Sequence, residues 1–183
     1  GEWLTAPGQE GGFAFDVGLR ARPRRPWINV IANAGFGTQV SEAGGGTTWA
    51  LNSRMNLLTP WANDAVADAP GEWLWLQDRR SRQVVSLAAS AQGAGGMDTR
   101  VTHGQGFSTA THRRGELDVS VSWCVDADSA VKQVQVQCTN HGARTLHLRL
   151  AGVCEWLLGA QRSDRATVHT AMHTLRGPQG RVT

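Results

Sequence analysis

From Leu117 onward the sequence alternates in character with a period of two. Leu117, Val119, Val121, Trp123 and Val125 fall on one side, and Asp118, Ser120, Ser122 and Cys124 on the other. That period is the geometry of a strand with one face on a core and one toward water, so a half-buried strand is predicted over 117–125. After the turn residues of DADSA the pattern resumes in KQVQVQCT, with Val134, Val136 and Cys138 opposed to Gln133, Gln135 and Gln137. A loop at TNHGAR precedes a third run, TLHLRLAGV, in which Leu146, Leu148 and Leu150 oppose Thr145, His147 and Arg149. Three such runs in succession predict an antiparallel meander. Upstream, WINVIAN, FGTQVSE, EWLWLQD and RQVVSLAAS read as further short strands, each bounded by Gly, Pro, Asn or Asp. The one helical period lies around 50–58, where Pro60 limits it. Many short strands with almost no helix predict an all-β fold, an antiparallel β-sandwich.

One stretch has neither period. GGGTTWALNSRMNLLTPWAND, residues 44–64, runs three glycines into two tryptophans, three asparagines and an arginine. The glycines lack the Lys-Ser/Thr ending and the βαβ setting of a phosphate loop, so a flexible turn is predicted there. The residues after the glycines suit sugar chemistry. A flat indole stacks on the apolar face of a pyranose while amides, carboxylates and guanidinium groups bond its hydroxyls. Trp49, Asn52, Arg54, Asn56, Trp61, Asn63 and Asp64 supply those groups within sixteen residues. Core packing is the competing use of tryptophan in a sandwich, and some of the eight must serve it.

Composition narrows the rest. A chain of 183 residues suits one domain, and 40% apolar with 18% charged residues excludes disordered, collagen-like and coiled-coil classes. The net charge is +3, and seventeen of the eighteen basic residues are arginine, Lys132 being the sole lysine. The clusters Arg22, Arg24, Arg25 and Arg79, Arg80, Arg82 sit beside prolines or in turns. They read as solvated loops, and no nucleic-acid partner is expected. Cys124, Cys138 and Cys154 are odd in number and widely spaced within apolar runs, which predicts buried thiols in a reducing compartment, with neither disulfide nor zinc. AQGAGGMD reads as a loop. His169 and His173 have helical metal spacing but no carboxylate between them, so no metal and no cofactor is expected. No apolar run has the roughly 18 to 20 residues of a membrane helix and no signal peptide opens the chain, so a cytoplasmic domain is expected. His103, His112 and Glu116 are either an acid–base set of the kind that epimerises sugars or structural residues; spacing alone does not decide.

The motifs together resemble a known family. The stretch from PWINVIANAGFGTQ through GGGTTWALNSRMNLLTPWAND to EWLWLQD, with HGQGFSTATH and CEWLLG after it in that order, is similar to the N-terminal β-sandwich domain of glycoside hydrolase family 94, above all its cyclic β-1,2-glucan synthase branch. The similarity runs from about Gly11 to Arg176. It departs at Thr47, where an aromatic is common, and at Met55 and Leu57, where Glu and Arg are common. The resemblance implies a galactose-mutarotase-like supersandwich, joined through a linker to an (α/α)6 barrel that carries the catalytic aspartate. The barrel, with a β-glucan or β-glucoside, is then the expected partner, in a parent anchored in the inner membrane in the synthase branch. The chain starts with Gly and stops at GRVT, which reads as a truncated copy with exposed strand edges, and a homodimer is among the expected states. Three functions are then open: a non-catalytic domain that supports the barrel and shapes its glucan cleft, an independent carbohydrate-binding module, or an aldose epimerase-like enzyme. Of the sugar contacts, the resemblance favours Trp49, Asn52, Arg54 and Asn56.

Overall fold

The computed structural model describes residues 1–5, 11–18, 22–62, 64, 66–89, 98–172, 175–177 and 180–182. Its strands in chain order are β1 (Glu2–Trp3), β2 (Phe13–Val17), β3 (Asn29–Ala32), β4 (Phe36–Ser41), β5 (Gly44–Ala50), β6 (Leu57–Thr59), β7 (Glu72–Asp78) and β8 (Val84–Ser86). The later strands are β9 (Thr99–Gly104), β10 (Phe107–Arg114), β11 (Leu117–Val125), β12 (Lys132–Asn140), β13 (Leu148–Cys154), β14 (Leu175–Gly177) and β15 (Gly180–Val182). The helical element among the described residues is one 3-10 turn, Arg162–Thr167. None of the described helices is long and apolar enough to cross a membrane.

The strands pair antiparallel in a six-stranded sheet β1-β2-β9-β10-β11-β12, a four-stranded sheet β3-β4-β5-β6, a three-stranded sheet β13-β7-β8 and the hairpin β14-β15. The alternation at 117–125 builds the core as expected. Val119, Val121 and Trp123 are at most 3% exposed and pack with Ile31 and Val40 of the four-stranded sheet and with Leu76, Val85 and Leu87 from β7, β8 and the turn after it. A second cluster, Phe15, Val17, Ala89 and Val101, closes the other end of the large sheet.

Four expectations are corrected. The third strand of the meander does not lie beside β12. It pairs instead with β7 over seven positions, Leu148 with Asp78 through Cys154 with Glu72, and Leu150 on it is half-exposed. The helical period at 50–58 forms no helix, because Leu51 takes a left-handed φ of 62° and the Asn52 side chain caps a turn that returns the chain into β6. Gly44–Gly46 is strand rather than flexible turn, the first part of β5, where a Cβ on Gly45 would lie 2.8 Å from a Glu72 carboxylate oxygen. The three thiols are free, but Cys138 is exposed and the other two are half-buried. His173 and most of the AQGAGGMD segment lie outside the described residues.

Candidate functional site

The outward face of the four-stranded sheet gathers part of the irregular segment. Trp49 pairs with Gly37, which pairs with Ala32, so all three share that face. The indole lies on the glycine: a Cβ at position 37 would sit 2.4 Å from one ring carbon of Trp49 and 2.8 Å from the Ala32 Cβ. Two residues along β4 on the same face, Gln39 enters a cleft of about 190 Å³. Trp61, 54% exposed, lines it, with Pro26 and Ile28 supplying apolar surface and Arg25, Asp64 and Asp68 supplying charge. The volume falls below the roughly 300–1,000 Å³ of sites that engulf a drug-sized ligand, so the cleft has the scale of a subsite for one ring.

Local chemistry explains how Trp61 reaches this place. Pro60 has no N–H to give a ladder, so the chain leaves the sheet directly after β6 and carries Trp61 to the cleft that Gly46 and Thr47 also line. Thr47, one of the departures from the family pattern, is buried and donates its hydroxyl to the Thr59 carbonyl at 3.0 Å. The Asp64 carboxylate accepts from the Val66 and Ala67 amides at 2.8 and 3.0 Å, and those two bonds hold its pKa below the usual range. Asp68 accepts from the Ser41 hydroxyl; burial pushes its carboxyl up, with that bond and the Arg22 charge opposing. Behind it, burial also raises Glu42, which accepts from the Trp27 amide at 3.1 Å.

Of the seven residues singled out from the sequence, Trp61 and Asp64 line the cleft and Trp49 shares its sheet face. Asn63 lies outside the described residues. Asn52 and Asn56 instead shape the β5–β6 turn: the Asn52 side-chain oxygen accepts from the Arg54 and Met55 amides, both at 2.9 Å, and the Asn56 carbonyl accepts from Ala50 at 3.1 Å. Arg54 is exposed at the tip of that turn, and it forms no ion pair among the described residues. Arg54→Ala is therefore expected to leave the unfolding free energy within about 0.5 kcal/mol of wild type by urea titration, because Asp64 closes its own turn and takes no brace from Arg54. Sequence reasoning missed Arg25, Gln39 and Asp68. Arg25 read as part of a solvated cluster, Gln39 as the polar side of a strand, and their approach to Trp61 is a long-range event.

The acid–base set does not assemble. His103 donates Nε2–H to the Trp27 carbonyl at 2.9 Å and accepts from the Ser108 hydroxyl at 3.0 Å, while burial holds it neutral by lowering its pKa. His103 pairs with Ser108, four residues along β10 from His112, which places the two histidines about 14 Å apart. Glu116 lies in the β10–β11 turn beside Gly142.

The family model for "Glycosyl hydrolase 94, supersandwich domain" matches residues 14–176. Over 166 residues the chain is 39% identical to a protein described as "Cyclic beta-(1,2)-glucan synthase NdvB" from Rhizobium meliloti (strain 1021), a match that covers 85% of this chain and 6% of the length of that relative.

Proposed function

Because the chain belongs to the glycosyl hydrolase 94 supersandwich family, we propose that it is the non-catalytic, carbohydrate-associated sandwich domain of a cyclic β-1,2-glucan synthase or a related β-glucoside phosphorylase. On this reading the domain sits on the cytoplasmic side, supports an (α/α)6 catalytic barrel of the same parent chain, and contributes the outward face of β3–β6 to the glucan cleft between them.

The observation that carries the proposal is the cleft lined by Trp61. An exposed indole beside Arg25, Gln39 and Asp64 offers a stacking plane together with donors and acceptors in one small recess. That pairing fits a sugar ring, which is apolar on its faces and polar around its rim. The same geometry supports a positioning role for the domain. Among its described residues both carboxylates are engaged by the domain itself, Asp64 by the Val66 and Ala67 amides and Asp68 by the Ser41 hydroxyl, which favours holding a sugar over transferring its protons.

The test is titration of the chain with a linear β-1,2-glucan, monitored by tryptophan fluorescence. Saturable binding is expected, with the dissociation constant raised about tenfold or more in Trp61→Ala, the loss of roughly 1.4 kcal/mol that one stacked ring supplies. Trp61 is mostly solvent-exposed, so the melting temperature is expected to stay put. Unchanged affinity in Trp61→Ala removes the cleft from the site. Release of glucose 1-phosphate from the glucan by a purified preparation of this chain would overturn the non-catalytic assignment.

A further inference from the structure

A second polar surface lies on a different sheet. Asp16, Arg100, Thr111, Ser120 and Gln137 are register partners across five neighbouring strands, β2, β9, β10, β11 and β12. Partners in register share a face, so these side chains form one continuous row, about 19 Å long at the interstrand spacing. Two residues along the strands a parallel row repeats the chemistry with Thr102, Thr109, Ser122 and Gln135. The first row lies in a groove of about 700 Å³.

A solvated sheet face is ordinarily polar, but two features go beyond that. The face is grooved, and it holds an acceptor without a donor. Asp118, which lines the groove, uses Oδ2 to accept from His141 Nε2 at 2.7 Å, while its Oδ1 is buried without a hydrogen-bond partner among the described residues. Arg113 Nε stands 3.5 Å from that oxygen, close enough for charge compensation but outside hydrogen-bonding range. Such an orphaned acceptor costs free energy unless a ligand or solvent donor reaches it.

Charge decides the class of ligand. Arg100 is matched by Asp16 and Glu2, and Arg113 by Asp118, while Asp98 adds a further acidic group to the lining, so the groove offers an anion no uncompensated basic group. The middle of the row, Thr111, Ser120 and Gln137, is uncharged, and the Ser120 and Gln137 side chains bond to no other described residue. A neutral polyhydroxyl chain fits this surface, whereas an anion or an apolar peptide does not. Among the described residues no Trp or Phe lines the groove, so a single sugar gains little there, and affinity must come from many hydrogen bonds made by an extended chain.

We propose that this groove is a docking track for an extended stretch of neutral glucan that lies across β9 to β12. Its hydroxyls bond Thr111, Ser120 and Gln137, and the part-exposed Asp118 side chain turns to bring its enclosed Oδ1 to one of them. The proposal rests on the reading of the chain as part of a glucan-handling enzyme, and it places a second carbohydrate surface away from the Trp61 cleft.

The experiment is calorimetric titration of the chain with a linear β-1,2-glucan, using wild type, the combined variant Thr111→Ala, Ser120→Ala, Gln137→Ala, and Trp61→Ala. Amide chemical shifts are mapped in parallel on the wild type. The combined variant is expected to raise the dissociation constant about tenfold or more at unchanged melting temperature, with wild-type shifts at 111, 120 and 137. Glucose itself is expected not to bind the groove. Weakening by Trp61→Ala with none from the combined variant, and no shifts along β10 to β12, overturns the track and leaves the proposed function standing. A wild-type chain that binds no glucan overturns both.

Discussion

Lys132→Ala is expected to remove about 3 to 5 kcal/mol of stability, measured by urea unfolding. Lys132 is the sole lysine of the chain, and its ammonium donates to the Glu72 carboxylate and, at 2.8 Å, to the Thr48 hydroxyl. The two ionic side chains are 11% and 16% exposed. Each partner belongs to a different sheet: Lys132 opens β12, Glu72 opens β7, and Thr48 lies in β5. One ammonium therefore ties three sheets at a point where a compact charge with three donors on a flexible stem fits two acceptors, a task a planar guanidinium performs less well. Removing it leaves a carboxylate buried without compensation, and that residual charge, more than the lost bond, sets the size of the effect. The paired replacement Lys132→Met with Glu72→Leu is expected to recover much of the loss, since a buried ion pair gains little over apolar groups of similar volume. A loss below about 1 kcal/mol in Lys132→Ala would mean that Glu72 keeps its hydration and that the three sheets are held by apolar contacts alone.

The importance of this lysine is not visible in the sequence, where it merely starts an alternating run. The limits are the same elsewhere. Periodicity identifies a strand but not its neighbour. The hairpin between β11 and β12 was legible because a short run of turn residues joins them, whereas β13 crosses to β7, guided by pairings such as the Arg79 amide to the His147 carbonyl at 2.9 Å. The glycines at 44–46 were misread because a turn and a close approach ask for the same residue. At Gly45 the cause is the Glu72 carboxylate over the backbone, and at Gly37 it is the indole of Trp49. The candidate site was legible where it is local, at Trp61 and Asp64, since Pro60 and the Asp64 turn set their positions within a few residues. Gln39 and the polar row from Asp16 to Gln137 are placed by register between strands and Arg25 by the loop before β3, and no spacing in the chain announces them.

Acidification is expected to expose a second buried liability, at His112. The residue sits on the inward face of β10, 7% exposed, and neither ring nitrogen has a hydrogen-bond partner among the described residues. Burial, with the Arg114 charge adding to it, pushes its pKa below the ordinary 6.5, so the folded state holds it neutral. In the unfolded chain the ring takes up a proton near pH 6.5, and the folded chain does not do so until its lowered pKa is reached. Stability is thus complete above about pH 6.5 and lost as the pH falls toward the folded value. His103, also lowered by burial, acts in the same direction. Glu42 and Asp68, raised by burial, act in the opposite one: their contribution is present in acid and lost as the pH rises through their raised values. The wild-type profile mixes these signs, so the informative quantity is the difference from His112→Leu at each pH. That variant removes two orphaned polar atoms without altering the other groups, and it is expected to be more stable by about 1 to 3 kcal/mol near neutrality. Its advantage is expected to widen on acidification toward about pH 5, by at most about 1.4 kcal/mol per pH unit. A constant advantage would show that His112 titrates alike in both states, and a destabilised variant at neutral pH would show that the ring has hydrogen-bonding partners in the folded protein.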